Sequence, residues 1–264
     1  MAPTLPGGTH TGARTWVPAG TFERMPPNPW FSWDYVVNNW DELSTALVQH
    51  TTITLQAILI ALVIALPLAV LAHNVRWLAA PVLGTAGVLY TVPSLALFAI
   101  LVPFTGIGRT PVLIGLVMYA LLILVRNALV GLQGVDPDVR DAATGLGYGR
   151  WRLLVAVELP NALPSIITGV RLATVTTVAL VTVGFVAGYG GLGTVMFRGF
   201  RSSYNAQILT ATLLCVVLAV VLDVALYLLG RALMPWSRTG SGESRRVRRA
   251  RLRARTPGTL EGAA

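Results

Sequence analysis

Five stretches of this chain are apolar over the length a helix needs to cross a lipid bilayer, about 20 residues: 52–72, 78–104, 111–132, 164–187 and 208–230. No other feature restricts the fold so severely. In hydrocarbon every backbone N–H and C=O must find its partner within the protein, so each stretch is expected to be a helix. Composition agrees, since 54% of the 264 residues are hydrophobic and 12% are charged, where soluble domains carry about a quarter charged. The expectation is an all-α integral membrane protein with about five transmembrane helices in one membrane domain, residues 51–232.

The flanks read differently. Residues 1–29 are rich in Pro, Gly and Thr and lack the apolar core of a signal peptide, which predicts a disordered extension. Residues 30–50 mix Trp30, Phe31, Trp33, Tyr35 and Trp40 with Asp34, Asp41 and Glu42. Because Trp and Tyr favour the membrane boundary, this segment predicts an interfacial helix leading into the first span. Within the second stretch, Pro93 frees a carbonyl that neighbours or water must satisfy. It marks either a kink beside a cavity or a tolerated packing feature.

Several function classes fall away on residue usage. All 20 basic residues are arginine and there is no lysine. A conventional nucleotide-binding P-loop uses a lysine to reach the phosphates, and a Schiff-base enzyme needs one as nucleophile. The single cysteine, Cys215, excludes an internal disulfide. His10, His50 and His73 stand apart without ligand-like neighbours, so no metal site and no catalytic residue is expected. The net charge of +9 is concentrated, with nine arginines between Arg231 and Arg255. Such a basic tail beyond a membrane span, residues 233–264, predicts disorder and attraction to anionic membrane lipid rather than nucleic acid.

Between the third and fourth apolar stretches lies a polar island, residues 134–164. Asp136-Pro137 is a helix-start signal, because Asp accepts from a free N–H of the first turn and Pro at the first helical position loses no bond. A helix is predicted over 137–144. Gly145, Gly147 and Gly149 then mark a turn. A second helix is predicted over 150–157, ended by Leu159-Pro160 because the residue before a proline is pushed out of helical geometry.

Three ionisable residues fall inside the spans: Arg126, Arg171 and Asp223. Each lies at a similar depth from the island end of its helix, and a charge at that depth is costly unless paired or hydrated. Asp223 is therefore expected to pair with Arg171 or with Arg126. Thr174, Thr176, Thr177 and Thr182 line the fourth span without fixing a role, since threonine hydroxyls also bond back to their own helix. Between spans four and five, Gly188, Gly190, Gly191 and Gly193 satisfy the spacing of a dinucleotide fingerprint. They follow a membrane helix rather than a strand, so they read as a tight outer turn. No internal repeat stands out, which argues against a secondary carrier built from inverted halves.

The island carries a resemblance. Asp141-Ala142-Ala143, three residues, Gly147, nine residues and Val157-Glu158-Leu159-Pro160 resemble the cytoplasmic coupling loop of bacterial ABC import permeases, Glu-Ala-Ala-x3-Gly-x9-Ile-x-Leu-Pro. Asp141 stands for Glu and Val157 for Ile; the spacing is intact. Residues 91–135 and 167–193 look like the permeases of osmoprotectant importers, which move glycine betaine, carnitine, choline or proline betaine, and the likeness extends over about 33–230. The resemblance implies a membrane-spanning transport subunit that is not itself an enzyme and binds no cofactor. Its partners would be a cytoplasmic ATPase dimer carrying ATP and Mg, an extracytoplasmic substrate-binding protein, and a second copy or a sister permease. It places Asp141, Ala142, Ala143, Gly147, Leu159 and Pro160 at the ATPase contact.

A permease for methionine or another small solute, an ATP-independent carrier, and a membrane-anchored interaction protein are the competing readings. Orientation follows from arginine placement: with the tail inside, Arg140, Arg150 and Arg152 of the island are also cytoplasmic, and five spans leave the N-terminus outside. The expected location is a bacterial cytoplasmic membrane.

Overall fold

A computed structural model describes residues 28–235 of the chain. Nearly all of the extension over 1–29 and of the tail over 233–264 therefore lies outside the described residues. Among the described residues every regular element is helical.

Helix α1 (Trp33–Asn38) starts at Ser32, whose hydroxyl accepts from the Tyr35 N–H at 3.2 Å. Helix α2 (Trp40–Asn74) follows after a single residue and runs for 35 residues without interruption. At 1.5 Å per residue it is about 52 Å long, far more than the hydrocarbon core requires. The boundary expected near residue 50 is thus not a break: no Gly or Pro occurs between Trp40 and Leu66, so nothing stops the helix at the interface. Its buried face is a row of small side chains, Ala57, Ala61, Ala65, Ala69 and Ala72. Spaced mostly four apart, they let α5 and α8 approach its backbone closely.

The second apolar stretch is not one helix. Helices α3 (Arg76–Thr91) and α4 (Ser94–Thr105) meet at a bend of 94°. Val92 and Pro93 are both extended, with ψ of 127° and 130°. The cause is local, because Pro93 forces the residue before it out of helical geometry. The carbonyl set free at Val92 accepts a hydrogen bond from the Tyr119 hydroxyl. The Tyr119 ring in turn meets Tyr90 edge to face at 5.8 Å. Among the described residues four helices are long and apolar enough to span a membrane, and the bent pair, taken as one span, makes a fifth.

Helix α5 (Arg109–Gln133) lies at the centre, packed against α2 and α8. The core joins Phe98, Leu116, Val125 and Leu132 to the alanine row of α2 and to Ala162, Val170 and Ala173. Beyond α5 come α6 (Pro137–Gly145), α7 (Arg150–Leu153), a π-helical turn (Leu154–Glu158) and α8 (Leu159–Val183), which tightens into a 3-10 turn over Gly184–Ala187. The Leu159-Pro160 helix end predicted above does not occur. In the π turn the Leu159 N–H bonds to the Leu154 carbonyl five residues back. This widens the helix where the proline ring would strike the carbonyl of Ala156, and Pro160 then occupies the first turn of α8, where no N–H is needed.

A short amphipathic helix, α9 (Leu192–Ser202), and the long α10 (Asn205–Leu233) are the last helices of the described residues. A second core cluster, Leu43, Val178, Leu192, Val195, Ala211 and Leu218, fastens α9 and α10 to the end of the bundle opposite the island. Helix α10 buries only one face and exposes Val216, Val217, Val220, Val221 and Val224.

Candidate functional site

The island projects from the bundle between α5 and α8. Asp136 caps α6 by accepting from the Asp138 N–H at 2.9 Å, and Pro137 occupies the first turn. The helix closes through Tyr148 N–H to the Ala143 carbonyl (3.1 Å) and Gly147 N–H to the Thr144 carbonyl (2.9 Å). Gly147 has φ of +82°, a conformation that suits glycine and ends helices. Asp141, Ala142 and Gly147 are exposed, whereas Ala143 is turned inward and buried. Leu159 and Pro160 are half-buried at the root of α8. The tip presents large apolar side chains, Leu146 at 78% and Trp151 at 77% exposure. Beside them the Arg152 guanidinium lies 4.2 Å from the centre of the Tyr148 ring.

Where the island meets the bundle, one guanidinium gathers three helices. Arg140 of α6 donates to the Leu132 carbonyl at the end of α5 (2.8 Å), and its Nε lies 2.9 Å from Glu158 Oε1 in an ion pair. The NH2 nitrogen that donates to Leu132 also lies 3.2 Å from His73 Nε2, which in turn sits 3.4 Å from the same Glu158 oxygen. His73 belongs to the last turn of α2. Glu158, the last residue of the π turn, is 6% exposed.

A second polar tie joins α8 to α10. Arg171 Nε donates to Asp223 Oδ1 at 2.8 Å and its NH2 to Oδ2 at 2.7 Å, a two-pronged fork. The Tyr227 ring lies 5.2 Å from the same guanidinium. Of the two partners expected for Asp223, the structure brings up Arg171. Arg126 is exposed on α5 and forms no ion pair among the described residues.

At the opposite end the glycine turn is built by close approach. Gly188 and Gly191 both have positive φ, and Gly190 N–H donates to the Thr194 hydroxyl at 3.2 Å. A methyl group at Gly193 would sit 2.1 Å from the Thr182 carbonyl oxygen, so α9 starts in backbone contact with α8. Gly191 packs on His50, which is wholly buried and whose Nε2 donates to the Val178 carbonyl at 3.0 Å. Nearby, Tyr35 meets Tyr204 edge to face at 5.4 Å. Burial, and then the neighbouring Glu42 carboxylate, raise the Tyr35 phenol above its usual pKa. Among the described residues no three His, Cys, Asp or Glu side chains are gathered as a metal site would require.

Sequence reasoning did not anticipate the Arg140, Glu158 and His73 cluster. A signal was present, since Glu158 is a lone carboxylate in the apolar run Leu153 to Leu159, where burial without a partner is costly. Helix α9 was missed as well, although its pattern of Val195, Arg198, Gly199 and Arg201 is amphipathic at helical spacing.

Residues 45–239 match the family of binding-protein-dependent transport system inner membrane components. The chain belongs to this family. The match encloses the island, the Arg171–Asp223 fork and the glycine turn, and makes the chain a multi-pass membrane permease. The osmoprotectant import permease protein OsmW of Salmonella typhimurium strain LT2 is 36% identical over 206 residues, covering 76% of this chain and 96% of that protein. The carnitine transport permease protein OpuCB of Listeria monocytogenes is 37% identical over 187 residues, covering 71% and 86%. Among solved structures, the MetNI methionine ABC transporter in an inward-facing conformation aligns with a TM-score of 0.66 at 22% identity, over 74% of this permease and 98% of that chain. At that identity the likeness concerns the fold.

Proposed function

We propose that this permease is the membrane-spanning subunit of an ATP-driven importer and forms the path for a quaternary-ammonium osmoprotectant such as glycine betaine, choline or carnitine. The observation that carries this reading is the island. Its exposed face offers Asp141, Ala142 and Gly147 with Leu146 and Trp151 beside them, an apolar surface on a protruding helix pair of the kind that marks a protein interface. Its inner face is tied to three helices through Arg140. A surface so placed receives force from another chain. ATP and Mg reside on that partner, a cytoplasmic ATPase dimer, and this chain performs no hydrolysis of its own. The substrate class is supported by relatives named for osmoprotectant and carnitine transport.

The remaining partners are an extracytoplasmic binding protein, which selects the substrate, and a second permease, self or sister. In this reading the island end of the bundle is cytoplasmic together with the basic tail, and the glycine turn and α9 face outward.

The test is reconstitution of the permease in proteoliposomes with its ATPase and binding protein, followed by ATP hydrolysis and uptake against a panel of betaines, choline, carnitine and amino acids. Stimulation by the quaternary ammonium compounds is expected. Stimulation by methionine or another amino acid alone would replace the substrate class, and uptake that continues without ATP would replace the mechanism.

A further inference from the structure

The rooting of the island raises a question that its exposed face does not answer. Among its side chains helix α6 fully buries only Ala143. A helix held by a single methyl group would swivel at its glycine turn when pushed, and the push would go no further. What prevents this is Arg140, three residues before Ala143 and therefore on the same face of α6. Its guanidinium touches the last turn of α2 through His73, the last turn of α5 through the Leu132 carbonyl, and the start of α8 through Glu158.

The π turn belongs to the same arrangement. By adding one residue to the turn it rotates everything after Leu154 by about 100° relative to an uninterrupted α-helix. Glu158 consequently faces the bundle, while Val155 and Ala156 in the same turn face out. A buried carboxylate needs a counter-charge, and the one supplied comes from the island and not from the bundle. The ion pair therefore ties the two bodies together at a point where neither holds the other by apolar packing alone.

We infer that Arg140 is the positioning residue through which displacement of α6 reaches the first, third and fourth membrane helices, with Glu158 as its counter-charge and His73 as its third contact. This rests on the coupling role of the island proposed above and names the residues that carry it. Arg140 does not form the docking face: it is the joint behind that face. The role requires a guanidinium, because Nε pairs with Glu158 while NH2 reaches the Leu132 carbonyl and His73 on another side, and lysine places its charge at one atom without that spread.

The experiment uses the full complex of permease, ATPase and binding protein in proteoliposomes, with Arg140→Met, Arg140→Lys and Glu158→Gln compared with wild type. Two quantities are read: the ATPase subunit retained on the permease through purification, and substrate moved per ATP hydrolysed. All three variants are expected to retain the ATPase at the wild-type level. Transport per ATP falls about tenfold in Arg140→Met and in Glu158→Gln, less in Arg140→Lys, and no further in the double variant Arg140→Met/Glu158→Gln than in either single one. Glu158→Gln keeps the side-chain shape and serves as the deciding variant if Arg140→Met assembles poorly. Unchanged transport per ATP in Glu158→Gln overturns the inference. Loss of the ATPase from both Arg140→Met and Arg140→Lys also overturns it, by making Arg140 part of the docking face. A wild-type complex that hydrolyses ATP without moving any solute would instead remove the functional reading on which the inference stands.

Discussion

Replacing the Arg171–Asp223 fork one side at a time should give unequal losses that do not add. The two side chains are each 32% exposed within this chain and join α8 to α10 by two aligned, charge-assisted hydrogen bonds of 2.8 and 2.7 Å. Single polar contacts between membrane helices contribute about 0.6 kcal/mol on average and at most about 1.7. A bidentate ionic fork belongs near the top of that range, about 1.5 kcal/mol, or roughly tenfold in the folding equilibrium. Each single variant should cost at most about this coupling, because it loses the pair but is also relieved of the burial cost of the charge removed, and that relief is larger for the charge that is harder to hydrate. Asp223 has a short side chain and cannot reach the headgroups, whereas an unpaired Arg171 can extend towards them along its own stem. Arg171→Gln should therefore destabilise more than Asp223→Asn, and the double variant should recover about 1.5 kcal/mol relative to the sum. The measurement is reversible unfolding of the purified permease in mixed micelles by added denaturing detergent, run as a double-mutant cycle. Arg126→Gln with Asp223→Asn is the control and should be additive. Additivity of Arg171→Gln with Asp223→Asn, or coupling of Asp223 to Arg126, would refute the argument.

Gly193→Ala should cost at least about 1–3 kcal/mol in the same assay, because the new methyl meets the Thr182 backbone, which cannot move aside. Gly145→Ala, with open space around it at the end of α6, should be neutral or stabilise by up to about 1 kcal/mol. Tyr119→Phe strands the Val92 carbonyl at the bend and should cost about 1–3 kcal/mol; an unchanged midpoint would show that water or another donor already serves that oxygen. Tyr35 has a raised pKa from burial and from Glu42, so its share of stability is intact below the usual tyrosine value and is lost as pH rises through its own. Ultraviolet titration should show a late-ionising phenol that is missing in Tyr35→Phe.

The parts of the structure that were legible in advance are those written in local sequence. Hydropathy alone located the apolar stretches, since a membrane leaves the backbone no alternative to helix. Asp136-Pro137 and Gly147 placed α6 to within a residue of its observed end. Proline was less legible: at Pro93 a kink and a tolerated packing feature were both open and the chain bends by 94°, whereas the helix end expected at Leu159-Pro160 does not occur. At Pro93 the bend is tolerated because Tyr119 accepts the consequence; at Pro160 the core contact of Leu159 keeps the chain helical, and a π turn absorbs the clash instead. Equal depth in the membrane narrowed the partner of Asp223 to two arginines but could not separate them. Depth fixes a position along a helix axis and says nothing of direction around it. The cluster of His73, Arg140 and Glu158 joins residues 67 and 85 positions apart, and no local pattern encodes such a meeting.

Many of the polar and close backbone contacts converge on α8 and the π turn that opens it. Glu158 connects the π turn that opens α8 to α2 and α6; Gly131 of α5 abuts the Ala162 carbonyl; Val178 receives His50 from α2; Arg171 holds Asp223 of α10; and Thr182 abuts Gly193 at the start of α9. Helix α8 thus carries a polar or backbone contact to every neighbour that matters, at both ends and in the middle, whereas α10 has its fork and apolar contacts and leaves most of its surface uncovered. Apolar side chains in a membrane can slide past one another at small cost, because lipid is as good a neighbour as leucine. Hydrogen bonds and backbone contacts cannot slide, so they decide which helices move together. On the coupling role proposed for the island, a displacement entering at α6 would be carried along α8 to the glycine turn and α9 at the far end through the backbone contact at Gly193. This is why Gly193→Ala and Glu158→Gln, at opposite ends of one helix, are expected to impair the same transport step while differing in their effect on stability.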